Sequence, residues 1–223
     1  MEQEAWRLGA KDISGVIFLT LADIRREMDD CQTCGLGRGR RNLVFGEGDE
    51  AARLMLIGEG PGADEDRLGR PFVGAAGQLL DRILAAVDIT REEVYIANVV
   101  KCRPPGNRTP SPAEAGACLP WLFRQLETIR PAVIVLLGAT AFKYLIGGTT
   151  GITVVRGKWL TTKSGIAVMP TYHPAALLRN PGWKKPVWED FQQVRDRYND
   201  VKGMSVNDSA PGCLQVPAGS AGR

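Results

Sequence analysis

Between Ser14 and Asp30 apolar residues recur at helical spacing (Val16, Leu19, Ile24 and Met28), which predicts an amphipathic helix. A stretch rich in glycine and arginine follows, then the apolar run of a first buried strand, Arg53 to Ile57. Leu79, Leu80, Ile83, Leu84 and Val87 set a second helix across Gly74 to Val87. Val94 to Val100 is apolar and β-branched, as expected of a strand covered on both faces. After the loop RPPGNRTPSP, Ser111-Pro112-Ala113-Glu114 supplies the cap, first-turn proline and acid of a helix running to Ile129. A third strand, Ala132 to Leu137, leads through Gly138 into a helix from Ala139 to Ile146. Ile152 to Leu160 reads as a hairpin arm and Ile166 to Met169 as the last core strand. Pro174 to Leu178 and Pro186 to Tyr198 read as closing helices.

Strands alternating with helices predict a single-domain α/β fold, a four-stranded parallel sheet flanked by helices. The domain spans residues 14–198, after a lead, residues 1–13. Residues 199–223 are poor in large apolar side chains and are read as a disordered tail. In such sheets ligands bind beyond the carboxyl ends of the strands. Gly58-Glu59-Gly60, Asn98, Gly138 and His173 all fall there.

Composition narrows the class. At 223 residues and 44% hydrophobic content the chain can bury one good-sized core. A net charge of +3 does not by itself mark a nucleic-acid binder. The cations do cluster, at Arg38, Arg40 and Arg41, at Lys101, Arg103 and Arg108, and at Arg179, Lys184 and Lys185. Each group alone is also what any solvated surface carries. No run approaches the roughly 20 apolar residues of a membrane span, and MEQEAWRLGAKD lacks the apolar core of a signal peptide. The expectation is therefore a cytoplasmic protein with no membrane partner. In that reducing compartment its five cysteines are not a disulfide framework.

Four cysteines suit a metal centre instead. Cys31-x-x-Cys34 follows the first helix, while Cys102 and Cys118 flank the proline-rich loop. Four thiolates take either zinc or an iron–sulfur cluster, and the wide split of the second pair favours [4Fe-4S]. Any one of these residues alone reads equally well as a buried thiol; Cys213 lies in the tail. The segment GEGPGADEDRLGRPFVG follows the first strand, but it lacks both G-x-G-x-x-G and G-K-[ST] spacing, and its acids would repel a phosphate. It reads as a tight turn or as a pocket floor on which glycines admit a flat ring, with Glu59 near a water and Phe72 as a stacking surface or a plain core residue. Asn98 can both donate to and accept from a base edge, although such residues more often serve loop backbone. His173 is the sole histidine; Pro174 after it keeps its backbone extended at the strand end.

GEGPGADEDRLGRPFVG, YIANVVKCRPPGNRTPSPAE and PTYHPAALLRNP, with C-x-x-C upstream, closely resemble the family-four, iron–sulfur type of uracil-DNA glycosylase. The resemblance runs from Ile24 to Tyr198. It implies hydrolysis of the N-glycosidic bond of deoxyuridine in base excision repair, on a base flipped out of single- or double-stranded DNA. It implies a monomer working at the nucleoid, with a structural [4Fe-4S] cluster on Cys31, Cys34, Cys102 and Cys118. By the same resemblance Phe72 stacks on uracil, Asn98 reads O4 and N3–H, and the backbone from Gly60 to Gly62 accompanies that recognition. Glu65 shapes the side where a thymine methyl would clash. His173 bonds the developing charge on O2, and Glu59 positions the attacking water. Arg103 and Arg108 meet phosphates, while Leu178 and Arg179 enter the duplex vacated by the base.

Two positions depart from the wider superfamily: Gly60 stands where its best-known branch has a water-holding aspartate, and Ala175 where it has a phosphate-binding serine. Three alternatives stand beside this reading: an iron–sulfur nucleotide-binding oxidoreductase, a non-catalytic DNA-binding relative, and a covalent uracil trap. The glycine spacing weighs against the first. Retention of Glu59, Phe72, Asn98 and His173 weighs against the second. The third requires a KRRIH insertion that KCRPPGNRTP does not contain.

Overall fold

The computed structural model describes residues 19–203. The lead, the helix expected before Leu19 and the tail from Met204, with Cys213, lie outside them. The first helix, α1 (Leu21–Met28), starts at Thr20, whose hydroxyl accepts from the Asp23 N–H at 3.1 Å while the Asp23 carboxylate accepts from the Thr20 N–H. This reciprocal cap ends the helix at Thr20, so Leu19 is not helical.

The remaining elements are β1 (Glu47–Gly48), β2 (Leu54–Gly58), α2 (Ala63–Leu68), α3 (Ala75–Ala85), β3 (Tyr95–Asn98), α4 (Pro112–Ile129) and β4 (Val133–Leu137). They continue with α5 (Ala139–Leu145), α6 (Ile152–Val155), β5 (Leu160–Thr161), β6 (Ala167–Thr171), α7 (Pro174–Arg179) and α8 (Lys184–Val201). The sheet order is β1-β3-β2-β4-β6-β5. Its four central strands are parallel, as the alternating pattern requires, and the two-residue β1 and β5 add antiparallel edges that their length hides in the sequence.

Each central strand is buried on both faces. Leu54 and Leu56 of β2 pack with Val133, Val135 and Leu137 of β4 into the core beneath α3, α7 and α8. Met55 and Ile57, with Ile134 and Leu136, face the core formed by α1, α4 and α5. Alternation of Cβ direction along a strand produces this division. Phe191, inside α8, is fully buried in the first of these cores. Phe191→Ala should therefore destabilise the fold by about 3–5 kcal/mol, read as a lower urea midpoint at unchanged slope.

Three expectations are corrected. Ile152 to Leu160 is not one extended hairpin arm: it opens with the helical turn α6, and only its last residue, Leu160, joins β5, which pairs antiparallel with β6. Ile152 and Val155, three apart, both pack on the core in a helix, whereas Val154 points out at 58% exposed. The acidic glycine segment is not all loop, because it holds α2. Glu65 there takes the Gly62 N–H, and Asp64, Glu65 and Asp66 occupy the first turn, where the helix dipole favours them. The closing helix begins at Lys184 and runs to Val201, three residues past Tyr198 and into the segment read as tail.

Candidate active site

The carboxyl ends of the central strands border a cleft of about 450 Å³. Glu59, Gly60, Gly62, Glu65, Phe72, Asn98, Arg108, His173 and Arg179 all line it. Nine positions singled out from the sequence thus meet in one place. Arg103 and Leu178 are absent from the lining.

Gly58 and Asn98 are register partners at the ends of β2 and β3. A Cβ on Gly58 would lie 2.5 Å from Oδ1 of Asn98 and 2.6 Å from Cζ of Phe72. Only glycine therefore lets the amide and the ring close over the strand end. Asn98 is 2% exposed and its Oδ1 has no hydrogen-bond partner. A buried, unpaired acceptor is costly, by about 1–3 kcal/mol, unless something fills it.

Phe72 adopts a left-handed backbone with φ of 51°, held from two sides. Arg91 donates to the carbonyls of Pro71 and Phe72 and pairs with Glu47 and Asp81 at 3.1 and 3.0 Å. Glu65 accepts from the N–H groups of Val73 and Gly74 at 3.0 and 2.9 Å, in addition to Gly62. Three backbone donors occupy the Glu65 carboxylate, so it staples the loop that carries Phe72. The Phe72 ring lies against His173, with centroids 5.5 Å apart and planes inclined by 29°.

His173 caps α7. Its Nδ1 accepts the Ala175 N–H at 3.1 Å, which leaves the ring proton on Nε2. Burial, and secondarily the Arg179 cation, push its pKa from 6.5 down to about 4, with Glu65 opposing. The imidazole is thus neutral near pH 7 and acts as a single N–H donor. Glu59 accepts a hydrogen bond on Oε2 from the Thr140 hydroxyl.

The cations divide. Arg108 is locked in a fork with Glu114 at 2.7 and 2.8 Å, and Arg103 donates to Asn107 Oδ1 at 2.8 Å. Both brace the proline-rich loop. Among the described cleft-lining residues Arg179 is the cation with no ion pair, and Leu178 beside it is 46% exposed.

None of these four cysteines is in a disulfide; Cys102 and Cys118 are buried and Cys31 and Cys34 half-buried. Burial pushes Cys102 up, and the nearby Cys34 and Cys31 add to that shift; burial, with smaller contributions from Cys102 and Cys34, pushes Cys118 up to about 11. The four sulfurs therefore share one neighbourhood. Among the described residues no group of three or more His, Cys, Asp or Glu side chains is arranged around a single ion position. The surroundings suit an anionic sulfur group: Arg40 donates to Cys102 Sγ and the Lys101 N–H to Cys118 Sγ, both at 3.4 Å. The Lys101 ammonium is fully buried against Gln125 Oε1 at 2.6 Å.

Thr140 and Arg91 escaped the sequence reading. Each acts through a partner far along the chain, and no local pattern marks such a pairing. Gly138, singled out at the third strand end, was the nearest signal for Thr140.

The description of the uracil DNA glycosylase superfamily matches residues 45–192. The type-4 uracil-DNA glycosylase of Thermotoga maritima is 47% identical over 175 residues, covering 77% of this chain and 91% of the relative. That of Sulfurisphaera tokodaii is 45% identical over 185 residues, 79% and 84% of the two chains. A type-5 uracil-DNA glycosylase of Pyrobaculum aerophilum is 34% identical over 152 residues, 60% and 66% of the two chains.

Proposed function

The chain belongs to the uracil DNA glycosylase superfamily, and on that premise we infer that it is a type-4 uracil-DNA glycosylase that removes uracil from DNA and leaves an abasic site for repair. The observation that carries this reading is the orphaned Oδ1 of Asn98, buried at the end of the cleft. Uracil N3–H is the donor it lacks, and the amide N–H₂ of the same residue can meet O4. Cytosine reverses both groups and leaves polar atoms unpaired, at about 1–3 kcal/mol each.

Phe72 covers one side of the base. As the C1′–N1 bond breaks, its electron pair leaves on uracil, and the Nε2–H of neutral His173 stabilises the charge gathering on O2. The water oxygen bonds to C1′ and gives up one proton, which in the end neutralises the uracil anion, with Glu59 holding that water and facing the cationic sugar. Of the two carboxylates that line the cleft, Glu65 is occupied by backbone N–H groups, which supports Glu59 in this role despite Gly60. The geometry of Leu178 and Arg179 supports insertion into the duplex and contact with phosphate. That of Arg103 and Arg108 supports shaping of the loop rather than direct phosphate contact.

Cys31, Cys34, Cys102 and Cys118 would hold a [4Fe-4S] cluster, which supplies a cross-link between the N-terminal helix and the proline-rich loop rather than a reacting group. We read the protein as a monomer acting on nucleoid DNA, single- or double-stranded, in the cytoplasm. Among the described residues no helix is long and apolar enough to cross a membrane.

Incubation of an oligonucleotide carrying one uracil in chelator, followed by alkali, should give strand cleavage at the uracil. A denaturation-resistant protein–DNA adduct would point to covalent trapping, and an unchanged strand would sink the catalytic reading.

The low pKa of His173 sets a pH dependence. Between pH 8 and 5 the folded imidazole stays neutral, so the excision rate should show no inflection near 6.5 that His173→Asn removes. Stability behaves differently. Below pH 6.5 the unfolded chain takes up a proton that the folded histidine refuses until about pH 4. Stability should therefore fall across that window, by on the order of 3 kcal/mol in all, and less in His173→Asn. Urea midpoints between pH 7 and 4 measure this.

A further inference from the structure

The turn from β4 into α5 touches both residues assigned to the chemistry without lining the cleft itself. Thr140 donates its hydroxyl hydrogen to Oε2 of Glu59. Gly138 has φ of 95°, and a Cβ there would stand 3.0 Å from Cβ of His173. Its N–H donates to the Thr171 carbonyl at 2.9 Å, which ties the turn to the strand that delivers His173. Tyr144, one helical turn beyond Thr140, has its hydroxyl pushed up by burial and then by the negative charge of Glu59. One face of α5 is therefore turned toward that carboxylate.

We propose that Thr140 is a positioning residue for hydrolysis: it commits one oxygen of Glu59 to the protein and leaves Oε1 to hold the attacking water. The proposal rests on the reading of Glu59 as the water-holding carboxylate. A glutamate side chain has several rotatable bonds and wanders among rotamers unless something fixes it. The Glu59 carbonyl accepts from the Val100 N–H at 3.2 Å, which holds its backbone but not its carboxylate. Among the described residues Thr140 is the one hydrogen-bond partner of its carboxylate. With Gly60 at the neighbouring position and Glu65 saturated, no other carboxylate lining the cleft is free to substitute if Glu59 swings away. Thr140 and Gly138, two residues apart, also tie the water-holding side to the leaving-group side. A shift of this turn would misplace both at once.

Thr140→Val keeps the side-chain shape and removes the hydroxyl; Thr140→Ser keeps the hydroxyl. Misplacing a reacting group by about 1 Å costs up to ~100-fold. Thr140→Val should therefore lower kcat for uracil excision by roughly 10–100-fold with KM for the oligonucleotide unchanged, and Thr140→Ser should restore most of the loss. Added to Glu59→Gln, Thr140→Val should cause no further loss, because the group it positions is already disabled. An unchanged kcat in Thr140→Val, failure of serine to rescue, or a full additional loss in the Glu59→Gln background would each overturn the proposal. If Glu59→Gln itself retains full activity, the reading of Glu59 fails and the proposal with it. A slow Glu59→Gln beside an unaffected Thr140→Val would sink the proposal alone. Thermal unfolding of each variant separates these outcomes from a folding defect, and the serine variant provides the comparison if valine does not fold.

Discussion

His173→Asn is expected to slow single-turnover excision of uracil by about 10²–10³-fold and to leave binding to the uracil-containing oligonucleotide within a few-fold of the parent. Asparagine is chosen because the imidazole has two jobs. Nδ1 caps α7 through the Ala175 N–H, and loss of a cap costs about 0.5–2 kcal/mol. An alanine would mix that loss with the chemical one. Asparagine is a good cap residue, so its side-chain oxygen can take over the Ala175 bond while the Nε2–H donor disappears. The imidazole is poised for its task by being kept neutral, since burial holds its pKa near 4. A neutral donor gains most from a developing anion and attracts little before the bond stretches, so the interaction favours the transition state over the ground state. Rapid-quench excision and a filter-binding titration at the same salt measure the two quantities. Equal losses in both would mean that His173 serves binding or folding, not the departure of the base.

Asn98→Asp should lower uracil excision by at least about 100-fold and raise the ratio of cytosine to uracil excision, because a site built to hydrogen-bond one pattern rejects the reversed one strongly. Asn98 is nearly fully buried, with its Oδ1 close over Gly58. An aspartate there retains the acceptor and removes the donor toward O4. In its ionised form it also sets a negative charge against the uracil O4, whereas the cytosine amino group can donate to it. Burying that charge carries its own penalty, so urea unfolding must accompany the assay. Asn98→Ala is the control: it removes both functions and should lose uracil excision without any gain on cytosine. A variant that excises uracil normally would remove Asn98 from the readout.

The two variants act on separate steps, recognition of the edge and departure of the base. Their side chains are brought together through Phe72, whose ring touches His173 and lies close over the strand end that presents Asn98. Non-additive losses in the double variant would follow from that shared contact.

Much of this was legible in the linear chain. The apolar runs at residues 54–57 and 133–137 identify central strands because a strand covered on both faces must be apolar at every position. Ser111-Pro112-Ala113-Glu114 marks the start of α4 because a helix end needs those hydrogen-bonding groups at that spacing. Alternation of strands and helices then places Glu59, Asn98 and His173 at one end of the sheet, since parallel strands all finish on the same side. Local stereochemistry alone is enough for these conclusions.

What the linear chain left open depends on contacts between distant segments. Glu65 looks like one more acid in an acidic loop until the fold delivers the N–H groups of Val73 and Gly74 to it. Arg108 looks like an unpaired surface cation until α4 presents Glu114 to it, while Thr140 is an unremarkable helix residue until β2 brings up Glu59. The short edge strands and the turn at Ile152 carry too few residues for a period to register. Sequence periodicity reports how each segment meets the core as a whole. The partner of an individual polar side chain is decided only when tertiary packing sets two remote backbones a few ångströms apart.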